Sequence, residues 1–202
     1  MKFVPNALTI SRIVLTPVVL WLLLTGKLVG QVWALALFIL AAMSDYLDGH
    51  LARSLGARSR LGQFLDPLAD KILVIGTFVV LAILMPYVVP WWAVAVIVLR
   101  DAAVTALRTR VETQGRSVKT SNAARLKTAA QLTFLIGMLV LLIAAKIPGV
   151  IGRFAQQAVE SQIPYAILIV VVLITVGTGL QYMTGHKSST IKPPHEQESG
   201  AA

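Results

Sequence analysis

The sequence predicts an all-α integral membrane protein with six transmembrane helices and an amphipathic N-terminal segment, on three observations. First, 56% of the 202 residues are hydrophobic and only 13% charged, with a mean hydropathy of +0.77, a balance far from that of soluble domains. Second, the apolar residues gather into runs long enough for crossings of about 20 residues each. Third, the charges lie almost wholly between those runs. The chain therefore divides into one helical membrane domain, residues 1–184, and a polar tail, residues 185–202.

The first run, Leu8–Thr25, follows a single early lysine and contains Arg12. It has no clean small-residue cleavage site and is followed by further runs, so it reads as a retained helix rather than a secretion signal. The second, Val29–Asp45, continues past its apolar part as DYLDGHLARS. The third, Ile72–Val89, is preceded by GQFLDPLADK, where Pro67 suits an early helical turn. Polar helical ends from both thus project toward one membrane face. The remaining spans are Trp91–Thr109, Ala129–Ala145 and Ile163–Met183. No internal repeat is evident. The tail GHKSSTIKPPHEQESGAA, with its prolines and polar residues, is expected to be disordered.

Six spans place both termini on one side, and fifteen of the eighteen Lys and Arg fall there; Lys27, Lys146 and Arg153 fall on the other. That asymmetry predicts cytoplasmic termini, with Trp91 and Trp92 in the aromatic belt of the opposite face. The net charge of +9 is then explained by orientation and anionic lipid headgroups, and no nucleic-acid partner is expected. The absence of cysteine excludes disulfides, thiolate nucleophiles and cysteine-ligated metal centres. His186 and His195 are isolated in the tail, and His50 reads as a solvated helix-end residue.

Four aspartates interrupt the apolar pattern. Asp45 and Asp48 lie three apart at the end of the second helix, with Gly49 and Ala52 near the same face; Asp66 and Asp70 lie four apart at the start of the third, with Gly62 four before them. In an antiparallel pair the two faces can meet and four carboxylates converge. One interfacial aspartate is more often a helix cap or topology marker, but a juxtamembrane cluster at helical spacing points to function. Oxygen-only ligands suit hard cations, and four carboxylates are enough for two Mg²⁺ or Mn²⁺ ions. Gly49, Ala52 and Gly62 leave helix backbone open to a ligand, and Arg53 adds an anion contact.

The pattern Asp45, Asp48-Gly49, Ala52-Arg53, Gly62, Asp66, Asp70 resembles the signature of the CDP-alcohol phosphotransferase family. The resemblance extends over nearly the whole chain except the tail, and the family's six-helix architecture agrees with the spans counted above. It implies a CDP-linked donor attacked by an alcohol with release of CMP. It further implies that Asp45, Asp48, Asp66 and Asp70 hold two divalent ions, that Asp70 is also the general base, that Gly49, Ala52, Arg53 and Gly62 line the CDP pocket, and that the protein is a homodimer.

Three other stretches, PNALTISR (Pro5–Arg12), LRDAAVTALRTR (Leu99–Arg110) and LKTAAQ (Leu126–Gln131), resemble bacterial phosphatidylglycerophosphate synthases. These transfer a phosphatidyl group from CDP-diacylglycerol to glycerol 3-phosphate, so the resemblance implies a bacterial cytoplasmic membrane, with the site expected to face the cytoplasm as the charge asymmetry predicts. The resemblance departs at Asp101, where glutamate is expected after the arginine, and at NAARLKT, where a glycine and lysine are expected before Lys127-Thr128. An anionic acceptor would need cations, and Arg100, Arg108, Lys119 and Lys127 are the candidates, Arg100 and Lys127 foremost because they adjoin apolar sequence. Serine, inositol phosphate or phosphatidylglycerol are alternative acceptors. A divalent-cation transporter is a weaker alternative, because the aspartates lie at one membrane face rather than the midplane.

Overall fold

The computed structural model describes residues 4–55, 60–113 and 122–185, with side chains described for 12–43, 71–107 and 125–181. Among the described residues there are seven helices and no strand: α1 Val4–Leu24, α2 Leu28–Leu55, α3 Arg60–Leu84, α4 Trp91–Thr113, α5 Asn122–Ala144, α6 Val150–Glu160 and α7 Ile163–Gly185. Two segments, Arg125–Ala144 and Ile163–Gln181, are long and apolar enough to cross a membrane; the apolar stretches Arg12–Leu24, Leu28–Met43 and Lys71–Leu84 are shorter.

The helix breaks have local causes. Gly26 turns α1 into α2 with φ of 65°, a conformation that costs glycine little. The third apolar run was expected to continue to Val89, but α3 stops at Leu84. Pro86 disfavours helical backbone at Met85, the residue before it, and α4 starts directly after Pro90. Gly149 precedes α6 with φ of 103°. At Gly152 a Cβ would stand 1.9 Å from the Ile147 carbonyl oxygen, so the turn into α6 closes on a glycine.

α1 packs against both α2 and α3, α5 touches α2, α3, α6 and α7, and α7 also packs along α4. Gly76 lets α3 approach Leu20 of α1, where a Cβ would lie 2.7 Å from the leucine methyl. Phe78 of α3 stacks on Phe134 of α5 with centroids 5.9 Å apart. Small residues and close ring packing matter here because lipid gives apolar helices little hydrophobic reason to associate. The outer wall is correspondingly apolar, with Trp21, Trp33, Leu40, Leu99 and Leu173 each more than half exposed. Lys146 donates to the Gly26 carbonyl, so the α1–α2 turn and the end of α5 share one end of the bundle.

α6 is the element not expected from the sequence. It divides into three sectors: Gly152, Ala155 and Val159 are buried, Val150, Ile151 and Phe154 are exposed and apolar, and Arg153, Gln156, Gln157 and Glu160 are exposed and polar. At 100° per residue the sector centres are separated by about 120°. The N-terminal segment is part of a continuous α1, and the side chains of residues 4–11, on which its amphipathic character depends, lie outside the described residues.

Candidate active site

α2 continues as helix through Asp45, Asp48, Gly49, Ala52 and Arg53 before ending at Leu55, and α3 already includes Gly62, Asp66 and Asp70. Both helices therefore extend beyond their apolar parts, as the sequence pattern requires, and they touch each other. Backbone register puts the paired aspartates three and four residues apart on their helices. The side chains of all eight motif residues lie outside the described residues, as does that of Arg108; Lys119 lies outside them altogether.

Beside this motif the structure describes a buried polar cluster joining four helices. Asp101 of α4 is 3% exposed. One carboxylate oxygen, Oδ2, accepts from Nζ of Lys127 on α5 at 2.5 Å, and Oδ1 accepts from Nη1 of Arg100 at 3.1 Å. The Asp101 backbone carbonyl accepts from Nζ of Lys71 on α3 at 3.2 Å and from the Thr105 hydroxyl at 2.6 Å. Lys71 also donates to that hydroxyl. Charges held this far from water are costly unless paired and hydrogen-bonded, and the carboxylate has both.

Arg100 reaches the other way. Its Nε donates to the Thr175 carbonyl at 2.9 Å and its Nη2 to the Thr178 hydroxyl at 3.1 Å, both on α7. Gln131, one turn beyond Lys127, donates to the Thr175 hydroxyl at 3.3 Å. Gly179 makes room for this arrangement: a Cβ there would come within 3.0 Å of Arg100 Cγ and Nε. The outer α4–α7 wall carries an open apolar groove of about 280 Å³ above the same arginine, between Leu99, Ala103, Val176 and Leu180.

The structure thus brings together two of the predicted acceptor residues, Arg100 and Lys127, through Asp101, the position at which the sequence departs from the resembled enzymes. Arg100 directs its fork to α7 and Asp101, whereas among the described residues the Lys127 ammonium group is held by Asp101 alone. Lys71, Asp101, Thr105, Gln131, Thr175 and Gly179 were not read as parts of a site. Their signal was faint: polar residues at four-residue spacing, Asp101 and Thr105 on α4 and Lys127 and Gln131 on α5, inside otherwise apolar helices.

Fold and site together define a helical membrane protein with an acidic motif spread over two helix ends and a buried ionic cluster next to it. The family described as CDP-alcohol phosphatidyltransferase matches residues 2–183, and the chain belongs to that family. A CDP-diacylglycerol–glycerol-3-phosphate 3-phosphatidyltransferase of Bacillus subtilis is 36% identical over 140 residues, 63% of this chain and 72% of its own. A probable phosphatidylglycerophosphate synthase of Mycobacterium tuberculosis is 34% identical over 181 residues, 88% of this chain and 78% of its own. A cardiolipin synthase (CMP-forming) of Streptomyces coelicolor is 38% identical over 102 residues, about half of each chain.

Gly179→Val is expected to push Arg100 off α7 and destabilise the bundle by about 1–3 kcal/mol, the usual scale of overpacking. Gly177 has open space around its Cβ position, so Gly177→Ala should leave stability unchanged or slightly raised. Thermal unfolding of both variants in detergent checks the pair; equal stability in the two would mean that Arg100 does not need the Gly179 gap.

Proposed function

We propose that this protein transfers a phosphatidyl group from CDP-diacylglycerol to glycerol 3-phosphate, releasing CMP and forming phosphatidylglycerophosphate. The observation that carries the reading is the complete aspartate motif, carried on the helical extensions of α2 and α3 in a chain matched by its family over residues 2–183. Relatives named for this reaction, one covering 88% of the chain, support the acceptor assignment.

Four carboxylates with no sulfur or imidazole among them form a hard donor set that fits Mg²⁺ or Mn²⁺, so Asp45, Asp48, Asp66 and Asp70 would hold two such ions. Bound there, such ions would supply positive charge against the pyrophosphate and the departing CMP. Gly49, Ala52 and Gly62 keep the helix surface low enough for the CDP moiety, and Arg53 contacts its phosphates. Asp70 takes the proton from the acceptor hydroxyl as that oxygen forms its bond to the diacylglycerol-bearing phosphorus and the pyrophosphate bond breaks toward CMP. Lys127, with Arg108 and Lys119, holds the acceptor phosphate; Arg100 contributes through its fixed charge beside them.

The same reading sets the topology. Six helices, α1 to α5 and α7, span a bacterial cytoplasmic membrane, with both termini and the motif on the cytoplasmic side. α6 lies along the opposite membrane surface, its three sectors meeting bundle, lipid and water. A second reading keeps the chemistry and changes the acceptor to phosphatidylglycerol, and it is favoured by the likeness to the Streptomyces cardiolipin synthase.

Purified protein given CDP-diacylglycerol, Mg²⁺ and a panel of alcohols should release CMP with glycerol 3-phosphate and make phosphatidylglycerophosphate. Cardiolipin formed from phosphatidylglycerol alone would establish the second reading instead. Asp70→Asn should lower kcat about 10²–10⁴-fold, the range for losing a general base, with donor KM little changed. A loss of donor affinity matching that of Asp48→Asn would make Asp70 chiefly a ligand. Because the chain has no cysteine, single cysteines at Arg116 and Lys146 report topology directly: an impermeant maleimide applied to intact cells should label the second and not the first.

A further inference from the structure

Asp101 is a buried carboxylate outside the proposed reaction, and side chains from α3 and α5 converge on it. We infer that Asp101 is a positioning residue for the acceptor side of the site: its carboxylate fixes the Lys127 ammonium group where the acceptor phosphate binds. The inference rests on the acceptor role proposed for Lys127.

Three observations support it. Lys127 sits in the second turn of α5, where a flexible four-carbon stem would otherwise let its charge roam; the 2.5 Å bond to Oδ2 restrains it, and the residue is 8% exposed. The carboxylate is itself restrained, because Arg100 holds Oδ1 while anchored to Thr175 and Thr178 of α7. The same residue's backbone carbonyl accepts from Lys71, which directly follows Asp70 in α3. One turn of α4 therefore holds both the lysine meant for the acceptor and the helix that carries the proposed base.

The test is the acceptor dependence of CMP release in Asp101→Asn, Asp101→Glu, Lys127→Gln and the Asp101→Asn/Lys127→Gln double variant, with glycerol 3-phosphate varied at saturating CDP-diacylglycerol. Asp101→Asn is expected to raise acceptor KM about tenfold while donor KM and kcat stay within about threefold, the scale of one charge-assisted contact. Asp101→Glu, which keeps the charge, should restore most of the loss. In the Lys127→Gln background Asp101→Asn should add less than about twofold, because its effect runs through that lysine. An acceptor KM unchanged in Asp101→Asn, or raised as much with Lys127 absent as with it present, would overturn the inference. Should Asp101→Asn alone not fold, the double variant decides: an acceptor KM equal to that of Lys127→Gln supports the role, and a further several-fold rise refutes it. An unchanged acceptor KM in Lys127→Gln would remove the acceptor role itself and this inference with it, while leaving CMP release by the wild type as separate evidence for the reaction.

Discussion

A charge inside an apolar helical bundle must be matched, and most of this protein's functional layout follows from that constraint. The matching takes two forms. Around Asp101 the protein supplies its own cations, Arg100 and Lys127, and the cluster closes with hydrogen bonds from Lys71 and Thr105. At the ends of α2 and α3 four carboxylates have one motif arginine near them in sequence, and the balance proposed there comes from divalent ions. The first cluster is paired within the protein itself. The second is proposed to be completed by bound metal.

These two regions are linked through helix packing. α7 lies along α4 and α5, and its Thr175 and Thr178 anchor the arginine that steadies Asp101, while Gln131 ties α5 to the same turn. Gly179 gives Arg100 the space to reach α7. Interhelical polar contacts of this kind are worth roughly 0.6–2 kcal/mol each within a membrane, so no single one holds the bundle. Their combined effect is positional: they fix α3, α4, α5 and α7 relative to one another next to the acidic motif. The stacked Phe78 and Phe134 and the close approach at Gly76 do the same for α1, α3 and α5 by shape alone.

Much of this was legible in the sequence because hydropathy and helical period are local signals. The six long helices lie close to the six apolar runs, and the extension of α2 through Asp48 and Arg53 was readable from DYLDGHLARS. α6 was not, since eleven residues with two nearby glycines and four polar side chains average to a loop unless the three sectors are separated. The early end of α3 came from Pro86, whose effect on Met85 outweighs the apolar run around it. The Asp101 cluster was hidden for a different reason: its partners lie 26 and 30 residues away on other helices, and only the packing of α3, α4 and α5 brings them together. Arg100 and Lys127 were legible as functional candidates, but not the carboxylate that joins them.

The proposed reaction depends on the four aspartates of α2 and α3 converging to bind divalent cations. Counting Mn²⁺ bound to the purified protein by electron paramagnetic resonance, in the presence of a CDP-linked donor, tests it most directly. About two ions per chain are expected, the number four carboxylates can serve as a two-metal site, with loss of this binding in Asp48→Asn. No tight Mn²⁺ in the wild type, or undiminished binding after all four aspartates are replaced by asparagine, would contradict it.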